Sequence, residues 1–171
     1  MGWTAPFTAV TGVLVTAAQL NASYRDNLNF LNSTPGCRLR RAANQLINNI
    51  TDTAISWDTE DLDTDGFITS PSTTVTIPTG LDGRYAITVY AQAAANLQNR
   101  CYIDINPTTV ITGVPTNLRT VITTGNSDSR YLAAVVIPLL AGDSFQVHVF
   151  HTIGTNQNHT AWMTCSRVSA S

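Results

Sequence analysis

From Ala42 onward, apolar and polar residues alternate with a period of two, the pattern of strands with one buried face. The runs at 75–78, 84–92, 100–105, 108–113, 119–125, 131–140, 143–152 and 160–168 all fit it. Turn-forming pairs separate them: Thr79-Gly80, Asp82-Gly83, Asn106-Pro107, Gly125-Asn126 and Gly142-Asp143. Short strands in such number, with no interleaved helix, predict an all-β sandwich or jelly roll.

The N-terminal stretch follows a different period. "TAAQLNASYRDNLNFLNS" predicts a single helix, with Thr16 as cap and Gln19 completing a capping box. Ala17, Leu20, Tyr24, Leu28 and Leu31 form one stripe, Arg25 and Asp26 lie off it, and Pro35-Gly36 ends the run. A helix of about four turns with so narrow a stripe is marginal alone in water. It must pack on its own domain, on a partner subunit or on a larger assembly. The basic cluster "CRLRR" at 37–41 reads as solvated surface, able to meet acidic groups of a neighbour. The expected division is therefore an arm and helix over 1–36 as assembly anchor, a connector over 37–49 and a β domain over 50–171.

Composition narrows the function classes. The chain of 171 residues has no lysine, a single glutamate (Glu60) and 12% charged residues, with heavy use of threonine and asparagine. A net charge of -2 gives no electrostatic reason to bind nucleic acid or an anionic membrane. The longest apolar run, Tyr131 to Ala141, is too short for membrane insertion and is interrupted by Pro138. "MGWTAPFTAV" lacks the features of a secretory signal, and Pro6 stands where a myristoylation motif needs Ser or Thr. The N-x-S/T triplets at Asn21, Asn32, Asn49 and Asn158 are then read as chance. Cys37, Cys101 and Cys165 are widely spaced and odd in number, so reduced thiols are expected, the last two as small core residues.

The segment "WDTEDLDTDGFITS" begins like a calcium loop, with Asp61, Asp63 and Asp65 at ligand spacing and Gly66 after them. The twelfth position is Ser72 in place of the bidentate glutamate, and the flanks are strand-like. A structural turn anchored by Trp57 and Phe67 is the leading reading, with calcium as the alternative and no other cofactor expected. His148 and His151 point to opposite faces of a strand, and His159 is placed in a loop. No nucleophile elbow, phosphate loop or zinc motif occurs. The aspartates of 58–65 could pair as glycosidase carboxylates only on paper, so the protein is not expected to be an enzyme.

The order of strand motifs resembles complement C1q-like domains. "IPTGLDGRYAITVYAQA", "RCYIDIN", "VVIPLLAGDSFQVHVF" and "HTAWMTCSRV" follow one another as in that family, over roughly residues 50 to 170. The resemblance implies a C1q/TNF-like ten-stranded jelly roll that assembles as a homotrimer. With alternation it places Tyr85, Ile87 and Val89 inside and Thr88 and Tyr90 toward the three-fold axis. Ile137 and Leu139 go inside, leaving Ala134 and Val136 on the axis face. Phe145, Val147, Val149, Cys101, Ile103 and Ile105 fill the core from the outer sheet. Tyr102, Asp104, Gln146, His148 and Phe150 then form an exposed patch suited to a host surface glycan, or an ordinary solvated face. Separately, "VTAAQLNASYRDNLNFLNS" resembles the start of structural proteins of tailed bacteriophages, especially those of actinobacteria. That implies a virion protein assembled in the host cytoplasm, with Leu20, Tyr24, Leu28 and Leu31 as the anchor helix meeting other virion proteins. Minor tail or receptor-binding protein and capsid decoration protein both fit. A stand-alone C1q-like carbohydrate-binding or signalling module and a glycan depolymerase are the other classes.

Overall fold

The computed structural model describes residues 5, 7–8, 10–32, 34–93, 99–106, 119–123 and 130–170. The strand expected at 108–113 and the turns at Asn106-Pro107 and Gly125-Asn126 lie wholly or partly outside them.

The helical run has three parts: α1 (Ala17–Leu20), a π-helical turn (Asn21–Asp26) and α2 (Asn27–Asn32). The expected capping box is formed. The Thr16 hydroxyl accepts the Gln19 N–H at 3.2 Å, and the Gln19 side chain accepts the Thr16 N–H at 2.8 Å. The π turn matters for the stripe. In an α-helix a spacing of four overshoots one turn, whereas the wider π turn undershoots it, so their mixture keeps Leu20, Tyr24 and Leu28 in line. The arm folds back across the helix, where the Phe7 N–H donates to the Ser23 hydroxyl at 3.3 Å.

Ten strands follow among the described residues: β1 (Gly36–Ile47), β2 (Thr53–Ala54), β3 (Thr59–Asp63), β4 (Thr74–Thr76), β5 (Gly83–Ala93), β6 (Asn99–Asn106), β7 (Arg119–Thr123), β8 (Arg130–Leu139), β9 (Ser144–His151) and β10 (Gln157–Ala170). One sheet has the order β3-β1-β10-β5-β8. The other has the order β2-β9-β6-β7, with β4 also pairing β9. All strand pairs are antiparallel. The fold is the expected C1q/TNF-like jelly roll.

The core between the sheets matches the expected alternation. Tyr85, Ile87, Val89, Ile103, Leu139, Phe145, Val147 and Val149 are buried, joined by Leu39, Ile55, Trp57, Phe67, Met163 and Cys165. The connector over 37–49 is corrected: most of it is β1, which lies between β3 and β10. In "CRLRR" the arginines mask a strand, because Cys37 and Leu39 turn into the core while Arg38 points to solvent. The sandwich therefore begins at Gly36, where a Cβ would collide with the Cys165 carbonyl oxygen of β10. The tight turn before β9 uses Gly142 at φ 87°, a conformation that favours glycine.

His159 is corrected too: it stands within β10, fully buried, with its ring stacked on that of buried His151 at 5.7 Å. The pair joins the two sheets at one end of the sandwich. The Ile47 carbonyl lies 3.1 Å from His151 Nε2, and the Gln157 carbonyl 3.3 Å from His159 Nδ1. Burial, together with the neighbouring His151, lowers the His159 pKa from 6.5 to about 4, against the opposing Gln157 carbonyl. The folded state thus keeps the imidazole neutral while the unfolded chain takes up a proton below pH 6.5. Stability should be insensitive to this group above pH 6.5. It should then fall by about 3 kcal/mol as the pH drops toward 4. Urea midpoints at pH 7.5, 5.5 and 4 check this, and a His159→Phe variant should lose most of the decline across that window.

Candidate functional site

Two outward faces and one loop hold the residues singled out in the sequence. On the outer face of the β3-β1-β10-β5-β8 sheet, antiparallel register lines side chains into rows across the strands. Arg40, Trp162, Tyr90 and Leu132 form one row. Arg38, Thr164, Thr88 and Ala134 form the next, and Ser166, Ala86 and Val136 another. The expected axis residues Thr88, Tyr90, Ala134 and Val136 are thus neighbours on one surface. Along β10, β5 and β8 these rows contain no charge, and the arginines of β1 stand at the side. Large apolar groups are exposed there in the single chain: Trp162 at 40%, Leu132 at 49%, Val136 at 56% and Val168 at 55%. The Tyr90 and Trp162 rings meet at 5.5 Å. An uncharged, partly aromatic centre beside a charged flank is the composition of an interface core and its rim.

Sequence reasoning missed Trp162, Leu132 and Val168. The signal for Trp162 was present, since Ala161, Met163 and Cys165 are apolar and inward, so the residues between them must face out. What the alternation could not supply is that β10 lies between β1 and β5.

The outer face of the β9-β6 sheet is less open than expected, with Asp104, Gln146, His148 and Phe150 half-buried rather than exposed. Tyr102 is buried, 2% exposed, because the His148 ring lies flat over it at 5.2 Å. His148 in turn has Asp52 Oδ1 3.2 Å from Nδ1 and Gln146 Oε1 3.2 Å from Nε2. Gln146 donates to the Thr73 and Thr74 hydroxyls at 3.1 and 2.9 Å. Arg100 lies over the Phe150 ring at 5.4 Å. Asp104 is half-buried beside Gln146 on the neighbouring strand. The patch is brought together, but much of its polar chemistry is already satisfied internally.

The aspartate loop is wired as a turn. Asp63 Oδ1 accepts the N–H groups of Asp65, Gly66 and Phe67 at 3.3, 2.8 and 3.0 Å, and its Oδ2 accepts that of Ile68 at 3.1 Å. Asp61 pairs with Arg40 at 2.8 Å, and Asp65 accepts the Thr64 hydroxyl at 2.6 Å. The three carboxylates are therefore engaged with different partners. Asp58 accepts the N–H groups of Ala42 and Ala43 at the irregularity in β1 and pairs with Arg41 at 3.3 Å. Burial opposes its charge, but these donors and the Thr59 hydroxyl outweigh it and hold the carboxyl below its usual range. Asp63→Ala should cost about 3 kcal/mol by stranding four N–H donors, two of them at buried residues. That is a fall of roughly 6–12 °C in melting temperature. Asp63→Asn, which keeps one acceptor oxygen, should recover more than half, and millimolar calcium should leave the parent's melting temperature unchanged.

No family model matches the chain, and no curated protein matches it. Solved structures do. The globular domain of zebrafish complement 1qA is 13% identical, with TM-score 0.63, covering 80% of this chain and 99% of that one. The PRD1 vertex protein P5 is 11% identical, with TM-score 0.58 over 80% and 98%. The Eiger TNF of S. frugiperda is 11% identical, with TM-score 0.52 over 81% and 94%. At these identities the likeness shows the C1q/TNF-like fold alone. Among the described residues, no helix is long and apolar enough to cross a membrane, and no three His, Cys, Asp or Glu side chains could jointly hold a metal.

Proposed function

We propose that the protein is a non-enzymatic structural component of a bacteriophage virion, a homotrimer built on the β3-β1-β10-β5-β8 face and attached through its N-terminal arm. The observation that carries this reading is the uncharged surface around Trp162, Tyr90, Leu132 and Val136, unusually apolar for a face that stays in water. A second exposed apolar surface supports the attachment: Leu20, Tyr24, Leu28 and Leu31 are 45%, 63%, 63% and 65% exposed, so the stripe is left largely uncovered among the described residues. The likeness to a vertex protein supports a place on a particle surface. The carboxylates of 58–65 are engaged with backbone N–H groups, arginines and the Thr64 hydroxyl, which supports a structural role for that loop over catalysis.

A minor tail or receptor-binding protein is the primary reading and a capsid decoration protein the alternative. Imaging particles with the protein labelled decides between them by its location and symmetry. A receptor role would use the β9-β6 face around Phe150, His148, Gln146 and Asp104, offered to a host surface glycan. Phe150→Ala should then lower host adsorption several-fold with the melting temperature unchanged, and unaltered adsorption would remove the patch from consideration. Tyr102 does not serve that test, because its buried ring contributes to packing.

A further inference from the structure

The three cysteines are unbonded and buried in the structure, yet two of them are not apart. Cys37, the second residue of β1, stands directly opposite Cys165 of β10 in the antiparallel register, and both side chains turn into the core. Cα atoms of directly paired antiparallel residues are about 4.5–5.5 Å apart, within the roughly 4.4–6.8 Å that a disulfide spans. Cys101 belongs to the other sheet, on β6.

We infer that Cys37 and Cys165 form an oxidisable pair, the site of a cross-strand disulfide in an oxidising medium. The reaction is thiol–disulfide exchange with a small-molecule disulfide. One cysteine thiolate attacks a sulfur of the reagent, forming a mixed disulfide and releasing one thiol. The second cysteine then attacks the protein sulfur of that mixed disulfide, closing Cys37–Cys165 and releasing a second thiol. Two protein thiols are oxidised, one reagent disulfide is reduced, and the two protons leave on the released thiols.

The position gives the bond a purpose. β1 is the first strand after the helix, separated from α2 by residues 33–35, and β10 is the last strand. A disulfide there would fasten the root of the arm to the centre of the sheet, so that load on the arm falls on a covalent link. This mechanical role rests on the arm being the anchor, whereas the pairing of the thiols does not. Contact with Cys165 and burial both push the Cys37 thiol well above its usual pKa, which makes attack from the closed fold slow. Oxidation should therefore accelerate when the start of β1 opens, as in mild urea.

The test uses the full chain, reduced, then incubated with oxidised glutathione at pH 8.5, with and without mild urea, and also during refolding. Intact mass should fall by about 2 Da with no adduct retained. Peptide mapping should give a single Cys37–Cys165 link, and the melting temperature should rise by several degrees over the reduced form. Refolding makes the result selective. Cys101 lies midway between the other two in sequence, so random closure favours its shorter loops. Cys101→Ser should oxidise like the parent, while Cys37→Ser and Cys165→Ser should show no such loss of mass. A product that stops at the glutathione adduct, a link to Cys101, thiols unchanged even in mild urea, or a melting temperature lowered by the link would each overturn the inference. None of these outcomes depends on the trimer or on the particle.

Discussion

A Trp162→Glu variant should sediment as a folded monomer at micromolar concentrations where the parent chain is expected to sediment as a trimer. Trp162 is already 40% exposed in the single chain, so its replacement removes little of the sandwich core. The cost to the fold should stay near 1 kcal/mol, within the spread of strand preferences. The cost to assembly is larger. A tryptophan at an interface centre is commonly a hot spot of about 2–4 kcal/mol, and a three-fold assembly loses it three times. The summed loss lowers the trimer association constant by about 10⁴-fold or more, before the repulsion of three carboxylates close to one axis is added. Far-UV circular dichroism and the melting temperature, read beside sedimentation, separate dissociation from unfolding. Phe150→Glu, on the opposite sheet, should remain trimeric. A parent protein that is monomeric at those concentrations, or a Trp162→Glu trimer, would sink the assembly reading.

The second large effect concerns attachment. Removing residues 1–33 should leave a folded, trimeric jelly roll whose incorporation into particles falls about tenfold or more, to background. The helix stripe is exposed in the single chain, so the sandwich does not rely on it for its core. The place of the cut matters. The buried Pro35 carbonyl accepts the Arg167 N–H at 2.9 Å and continues the pairing of β1 with β10. A cut after residue 35 would forfeit that bond and confuse loss of attachment with loss of stability. Leu28→Asp together with Leu31→Asp is a milder version that keeps the chain length and the capping box. Both should fail to incorporate; truncated protein found on particles at parental levels would remove the arm from its assigned role.

The reach of the sequence differs from one element to another for a single physical reason. Alternation records which side of its own strand a residue occupies, and that is local information. The inward positions of β5, β8 and β9, the capping box at Thr16 and the turn around Asp63 could all be read in this way, and the C1q-like order of motifs added the architecture. β1 escaped because arginine fills its outward positions and makes a strand look like a basic connector. His159 escaped because its flanking polar residues look like a loop.

The sequence by itself thus determined the fold class, the helix start, the turn chemistry of 61–66 and the faces of the strands that alternate cleanly. Only the tertiary structure decided which strands are neighbours. It placed β10 between β1 and β5, which brings Trp162 beside Tyr90 and Cys37 opposite Cys165. It laid His148 over Tyr102 and His151 against His159, turning two expected surface features into buried ones. Pairing between residues far apart in the chain leaves no periodic trace in either strand, because each segment's pattern reports its own burial and not the identity of the strand beside it.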